Sequence, residues 1–322
     1  LCLAGPAWAD PPTLLFVRGQ GEAATVHQWG PGGAARPLGT GGPGWLAGPV
    51  SPDGRSVLVI SVQGEAQRLL EVDRASGQAT EMGPPARRLR QPRWVEGGAV
   101  VERLDAGDPQ LWFQPRGGGP GRRLTAHATG AFDGAPAPDG GALVFVGHAE
   151  GSLDLWVQPM ASGPARRLLA APGDQLQPTW SPDGSRIAFL TEREGRLAVH
   201  TIAPDGTGER TTWRLPPGAT EEIVPEQGLA WSPGGDALAL VVRRADGRPE
   251  VRLLDARRGR ELARSRDAGA AEQPAWLTDG TGVVMTVQGD AGPELATLSR
   301  AGAQARLPTG PGWLPRVVPP GP

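Results

Sequence analysis

Short apolar runs recur along the chain at intervals of roughly 42 to 51 residues, the length of one propeller blade. They include Val57-Leu58-Val59-Ile60, Leu143-Val144-Phe145-Val146, Ile187-Ala188-Phe189-Leu190 and Val283-Val284-Met285. Each is too short for a helix and apolar on both faces, which predicts a strand sandwiched between neighbouring sheets. A turn precedes each run. The clearest copy is Gln177-Pro178-Thr179-Trp180-Ser181-Pro182-Asp183-Gly184, and related copies are Ser51-Pro52-Asp53-Gly54, Pro138-Asp139-Gly140 and Trp231-Ser232-Pro233-Gly234-Gly235. Gln273-Pro274-Ala275-Trp276 and the degraded Gln91-Pro92-Arg93-Trp94 belong to the same column. Pro presets the first corner of a type I turn, Asp suits the next position, and Gly accepts the left-handed conformation that closes a short hairpin. The Trp before the turn reads as an apolar wedge between blades.

A second hairpin column follows each apolar run. Examples are Leu155-Trp156-Val157 with Arg167-Leu168-Leu169, and Val251-Arg252-Leu253 with Glu261-Leu262. There are seven such hairpins against six of the Trp-turn type. The mismatch disappears if the termini share a blade, with Thr13-Leu14-Leu15-Phe16-Val17 opening it and Gly312–Val317 supplying its innermost strand. Such closure removes exposed sheet edges. The predicted fold is therefore all-β: a β-propeller of four-stranded antiparallel blades, seven rather than six.

On these Trp-Ser-Pro-Asp-Gly turns and the Ile-Ala-Phe type strands after them, the sequence resembles the TolB-like propeller repeat family. The resemblance covers nearly the whole chain. It implies an extracytoplasmic protein that binds other proteins. The family's namesake carries an α/β domain before a six-bladed propeller, whereas here the first strand is expected directly after residue 10, so its partner is not carried over. Similar propellers also gate serine peptidases, in chains that continue into a hydrolase domain.

Composition adds limits. The formal net charge is -2 across 322 residues, which argues against nucleic acid or an anionic membrane as the main partner. The chain has no Tyr, Lys or Asn, and Asp-Gly takes the turn role that Asn-Gly often fills. Residues 1–9 are apolar and end in Ala7-Trp8-Ala9, like the end of a secretory signal peptide. The expected layout is a signal remnant at 1–9, one propeller domain at 10–318 and a flexible tail at 319–322, in the periplasm or outside the cell. Cys2, the sole cysteine, lies in the remnant, so no disulfide or thiol chemistry is expected beyond it.

Candidate chemistry is sparse. There is no Gly-x-Ser-x-Gly elbow, His-Glu-x-x-His or P-loop. His27 and His200 share a column with Trp112 and Trp156 and read as packing positions, while His127 and His148 read as solvated loop residues. Many acids, among them Glu22, Glu65, Asp108, Glu150, Asp154, Glu194, Glu250 and Asp267, fall in the segments that reach the channel mouth. Arginines such as Arg122 and Arg167 fall towards the rim. This predicts an acidic mouth, against the alternative that arginines 243, 244, 264 and their neighbours neutralise it. Three residues before each Trp stand Ala47, Gln91, Asp133, Gln177, Gly228, Gln273 and Gly310; the polar members are expected in the upper channel, with water-bridged strand ends as the plainer reading. The longest blade-to-blade loop, 216–227, brings Glu221, Glu222 and Glu226 beside them.

The binding residues proposed from sequence are therefore Gln91, Asp133, Gln177, Gln273, Glu221, Glu222 and Glu226. They serve a protein or peptide partner, preferably basic, engaged by a monomer with no membrane insertion and no catalytic residues. A channel-site lyase or hydrolase is the second reading. A structural Ca²⁺ held by channel oxygens is the third, and no other cofactor is expected.

Overall fold

The computed structural model of the protein describes residues 12–30, 32–39, 44–193, 195–266 and 269–320. The segment read as a signal remnant lies outside them, as do Glu194 and Asp267. Seven antiparallel sheets succeed one another around a ring. Six hold four strands each, and in the other the innermost strand is split into Glu222–Ile223 and Ala230–Trp231. The fold is a seven-bladed β-propeller.

Blade 1 closes the ring. Its strands Leu14–Arg18, Thr25–Trp29 and Arg36–Pro37 come from the beginning of the chain, and its innermost strand, Trp313–Val317, from the end. Leu14 faces Val317 and Leu15 faces Arg316 across this junction. Val318 is buried and its N–H donates to the Thr13 carbonyl at 2.9 Å. Blades 2 to 5 follow in order, with inner strands Trp45–Val50, Arg88–Val95, Phe132–Pro136 and Gln175–Trp180. Blade 6 holds the split strand, and blade 7 begins with Ala271–Trp276.

The twice-buried second strands form the core. Val57, Leu58, Val59, Leu143, Val144, Phe145, Ile187, Ala188, Phe189 and Leu190 have no exposed surface. Their side chains alternate between the two adjacent blades, so the interior is a chain of inter-blade clusters rather than one centre.

The repeated turn is explained by local hydrogen bonds. The Gly184 N–H donates to the Ser181 carbonyl at 2.9 Å, with Gly184 at φ 69°. The Ser181 hydroxyl donates to Asp183 at 2.6 Å, and the backbone N–H of Ser185 reaches the same carboxylate. The Ser181 hydroxyl, then Ser185, hold the Asp183 carboxyl at about 2. In blade 6 glycine replaces the Asp, and Asp236, two residues later, takes over the bond from Ser232.

The motif tryptophans tie blades together as well as filling space. The indole N–H of Trp94 donates to the Pro49 carbonyl, Trp180 to Ala135, Trp231 to Thr179 and Trp276 to Ala230, all at 2.9–3.1 Å. In every case the acceptor is the residue one place before the Trp position in the preceding blade. The register of blade 1 corrects one expectation. Because Leu14 pairs with Val317, the residue equivalent to Trp180 is Val317, not Trp313. The channel column therefore passes through Leu314 in this blade, and Gly310 lies outside the strand. The cause is that the closing strand has no turn motif to mark its end, so its only aromatic residue gave a false register.

Candidate functional site at the channel mouth

Each inner strand is kinked at the channel column. The pairing register slips between Arg90 and Arg93, Phe132 and Ala135, Leu176 and Thr179, and Glu272 and Ala275. Inside these bulges Gln91, Asp133, Gln177 and Gln273 adopt φ values of 46°, 50°, 51° and 55°. Gly228 at 70° and Leu314 at 55° continue the column. A left-handed conformation costs a non-glycine residue on the order of 1–2 kcal/mol, so its recurrence needs a compensating interaction.

That compensation runs around the ring. A bulge frees a backbone N–H, and a polar side chain accepts it. Asp133 N–H donates to Glu102 Oε2, Gln177 N–H to Asp133 Oδ2, and Gln273 N–H to Gln227 Oε1, each at 3.3 Å. Leu314 N–H donates to Gln273 Oε1 at 2.9 Å. The Gln91 amide also donates to Asp133 Oδ1 at 2.9 Å. The structure thus joins Gln91, Asp133 and Gln177 into one network across blades 3, 4 and 5. Gln273 lies in a second network with Gln227, Thr286 and Leu314. Protein atoms bridge these strand ends.

The channel groups are electrostatically strained. Burial, countered by hydrogen bonds, raises the Asp133 and Glu102 carboxyls above the usual range, and the proximity of Asp133 adds to the effect on Glu102. One layer further from the mouth stand Arg93 and Arg316. Burial, followed by repulsion from Arg93, pushes the Arg316 guanidinium down to about 10. Burial also lowers Arg93, which Asp133 partly offsets. Arg93 nonetheless keeps exposed surface.

The loop 216–227 is firmly anchored. Arg252, whose side chain is 2 % exposed, contacts Glu250 at 2.5 Å and Glu221 at 2.6 Å. Arg196 donates to the carbonyl of Glu221 at 2.9 Å. Glu222 and Ile223 pair with Arg243 and Val242, and a 3₁₀ turn, Pro225–Gln227, brings Gln227 to the channel network. The three predicted acids therefore separate: Glu221 is neutralised, whereas Glu222 and Glu226 remain exposed.

The acidic mouth survives only in part. Asp154 and Glu250 are buried strand residues rather than loop residues, and Asp154 pairs with Arg167 at 2.9 Å. Glu150 pairs with Arg167 as well, at 3.1 Å, so an arginine assigned to the rim turns inward. Arg264 engages Glu261 at 2.5 Å, and Arg244 engages Asp246 at 3.1 Å. The neutralising arginines come chiefly from third and fourth strands, whose side chains reach the loops of their own blade.

The histidines are accounted for by packing. His200 is buried beside Phe189 and contacts Glu209 at 2.7 Å, and His27 stacks on Phe16. His127 departs from expectation: it is half-buried, edge-on to Trp156 at 4.9 Å, in a cavity of about 400 Å³ between blades 3 and 4. Burial, then the neighbouring His148, lowers its pKa. Among the described residues no group of three or more His, Cys, Asp or Glu is placed to hold a metal ion.

Sequence reasoning missed Glu102, Gln227, Arg93, Arg316 and Arg252. Arg93 and Arg316 carried a usable signal, since both occupy the position after a column proline where other blades have small residues.

With the geometry established, comparison with solved structures places the fold. The chain is similar in fold to TolB. It matches TolB from Acinetobacter baumannii with a TM-score of 0.59 at 14 % identity, over 96 % of this chain and 83 % of that one. It also matches a puromycin-hydrolyzing peptidase of Mycobacterium tuberculosis with a TM-score of 0.66 at 17 % identity, over 92 % of this chain and 53 % of that one. A third match is an oligogalacturonate lyase in complex with manganese, with a TM-score of 0.60 at 16 % identity, over 92 % and 85 % of the two chains. The chain spans about half the length of the peptidase. No family model matches it, and a search of curated proteins finds no match. The likeness is one of fold alone, shared by TolB and by enzymes.

Proposed function

We propose that this propeller is an extracytoplasmic binding scaffold that presents the loop face around its channel mouth to a protein or peptide partner. The observation that carries the reading is the state of loop 216–227. Arg252, Arg196 and Gln227 fix it to the ring, yet it exposes Glu222 and Glu226. A loop held rigid without using its outward acids loses little entropy on binding, and preorganisation of this kind favours association. Exposed carboxylates at its crest suit a basic partner segment. The TolB neighbours support a scaffold role, and among the described residues no helix is long and apolar enough to cross a membrane. The test is affinity capture from periplasm or medium with the wild type and a Glu222→Gln/Glu226→Gln variant. A stoichiometric partner retained at low salt and weakened by the double variant supports the scaffold. Equal capture by both proteins places the contact elsewhere, and no partner at low salt rejects the scaffold.

A second reading is favoured by Asp133 and Glu102. Two carboxyls raised by burial beside a wet channel are what a general acid requires, and peptidase and lyase propellers are among the fold neighbours. A turnover screen on peptide and acidic-oligosaccharide substrates tests it, with Asp133→Asn as the control that must abolish any activity found.

A further inference from the structure

The position between the column proline and the Trp position forms one layer of the channel. Around blades 1 to 7 it reads Arg316, Pro49, Arg93, Ala135, Thr179, Ala230 and Ala275. Two large cations stand among five small residues. Only blade 2 separates their strands, so the two arginine positions flank Pro49 on one arc of the layer. Among the described residues neither guanidinium has a carboxylate within ion-pair distance. Each donates to the carbonyl of the proline before it, Arg93 to Pro92 at 3.3 Å and Arg316 to Pro315 at 3.0 Å. Asp133, the carboxylate that acts on Arg93, is engaged by Gln91 and Gln177.

Among the described residues the buried arginines are matched by acids, Arg252 by Glu250 and Glu221 and Arg103 by Asp105. Two guanidinia in one layer, each held by a single proline carbonyl, keep further N–H donors for an anion. Guanidinium forks suit carboxylate and phosphate oxygens, two N–H donors to two oxygens.

We propose that the channel is an anion site in which Arg93 and Arg316 together grip the carboxylate or phosphate group of a small molecule. This site is separate from the loop face and does not depend on the scaffold reading. The ring of channel hydrogen bonds lies between it and the mouth, so a bound anion is read through Asp133, whose carboxylate attracts Arg93.

Thermal unfolding is followed with sodium phosphate or sodium malonate titrated at constant ionic strength, with chloride as the balancing anion. The wild type is expected to show a saturable rise in Tm with at least one of the two, because a ligand bound only to the folded state stabilises it. A response to phosphate alone, or to malonate alone, identifies the ligand class. Arg93→Gln and Arg316→Gln are each expected to weaken the effect at least about tenfold in midpoint concentration. The exposed Arg55→Gln leaves it unchanged. Without added anion Arg316→Gln has a higher Tm than the wild type, since it relieves the repulsion. If a glutamine variant does not fold, Arg93→Lys and Arg316→Lys serve instead, keeping the charge but losing the fork, and weaken the response. No saturable response in the wild type, or an undiminished one in the Arg93 and Arg316 variants, overturns the proposal.

Discussion

Replacing Trp180 by Phe tests whether the motif tryptophans act as ties between blades or as bulk alone. The indole N–H donates to the Ala135 carbonyl at 3.0 Å across the interface of blades 4 and 5. Phe keeps an aromatic wedge but removes the donor. The lost hydrogen bond contributes about 1 kcal/mol net. The smaller ring gives up roughly 40 Å² of apolar contact, worth about 1 kcal/mol at 25 cal/mol per Å². The expected loss is therefore about 2 kcal/mol, read as a lower urea midpoint at unchanged slope, since the closed ring should unfold cooperatively. Trp313→Phe is the internal control. Its indole N–H reaches the Gly19 carbonyl at 2.9 Å, but that bond is exposed and does not occupy the motif position. Trp313 also packs against the cluster between blades 1 and 2, so Phe there gives up similar apolar contact but only an exposed hydrogen bond, and its loss should be smaller, about 1 kcal/mol. Equal losses at the two sites would refute the tie, and so would an effect at Trp180 of less than about 0.5 kcal/mol.

Two further outcomes follow from the channel and its loop. Asp133 has a folded pKa raised by burial, so its ionisation opposes folding: its contribution is fully present below the unfolded carboxylate pKa and is lost as pH rises through the folded value. Asp133→Asn cannot ionise, so the Tm difference between variant and wild type should move in the variant's favour as pH rises above about 4; a difference independent of pH contradicts the raised pKa. Arg252→Met leaves the buried Glu250 with only the more distant Arg264, at 3.8 Å, and frees the Glu221 carboxylate. It should cost about 3–5 kcal/mol and render loop 216–227 cleavable by a protease that spares the wild type; Glu250→Gln added to it should restore part of the stability, and no restoration counts against the ion pair as the cause.

The architecture was legible because its determinants are local and repeated. Pro182, Asp183 and Gly184 act within one turn, and counting hairpins gave both the blade number and the closure of the ring. The register of the last strand was not legible, because Trp313 imitates a motif residue whose true equivalent is Val317. The channel column was identified by spacing, but its chemistry depends on side chains from other blades. That Gln177 N–H is held by Asp133, 44 residues earlier, follows from the ring and not from the neighbourhood of Gln177 in the chain. The mouth charge failed for a related reason. Asp154 and Arg167 belong to adjacent strands of one blade, and assigning each to its nearest loop overlooked that their side chains meet diagonally, Arg167 standing opposite Trp156.

A ring of equivalent blades has no preferred side, so any specificity requires positions where the repeat is broken. Two breaks are large. Blade 6 splits its inner strand to insert the 216–227 loop, and blades 1 and 3 place arginines where the other blades have small residues or proline. The arginine pair is centred on blade 2, which lies three blades from blade 6 one way round the seven-membered ring and four the other, the farthest separation such a ring allows. The two features therefore occupy opposite sides of the channel. The bulge network links parts of that path: Gln91, Asp133 and Gln177 run from blade 3 towards blade 5, and Gln227 of the blade 6 loop holds the backbone of blade 7 at Gln273, whose side chain in turn holds Leu314 of blade 1. Leu314 is two residues from Arg316. A charge change at the arginine layer is thus separated from the exposed loop by a short chain of named hydrogen bonds, and Gln273→Ala, which cuts that chain between blades 7 and 1, should uncouple the two sites if they are coupled, leaving the anion response intact while removing any effect of anion on partner capture.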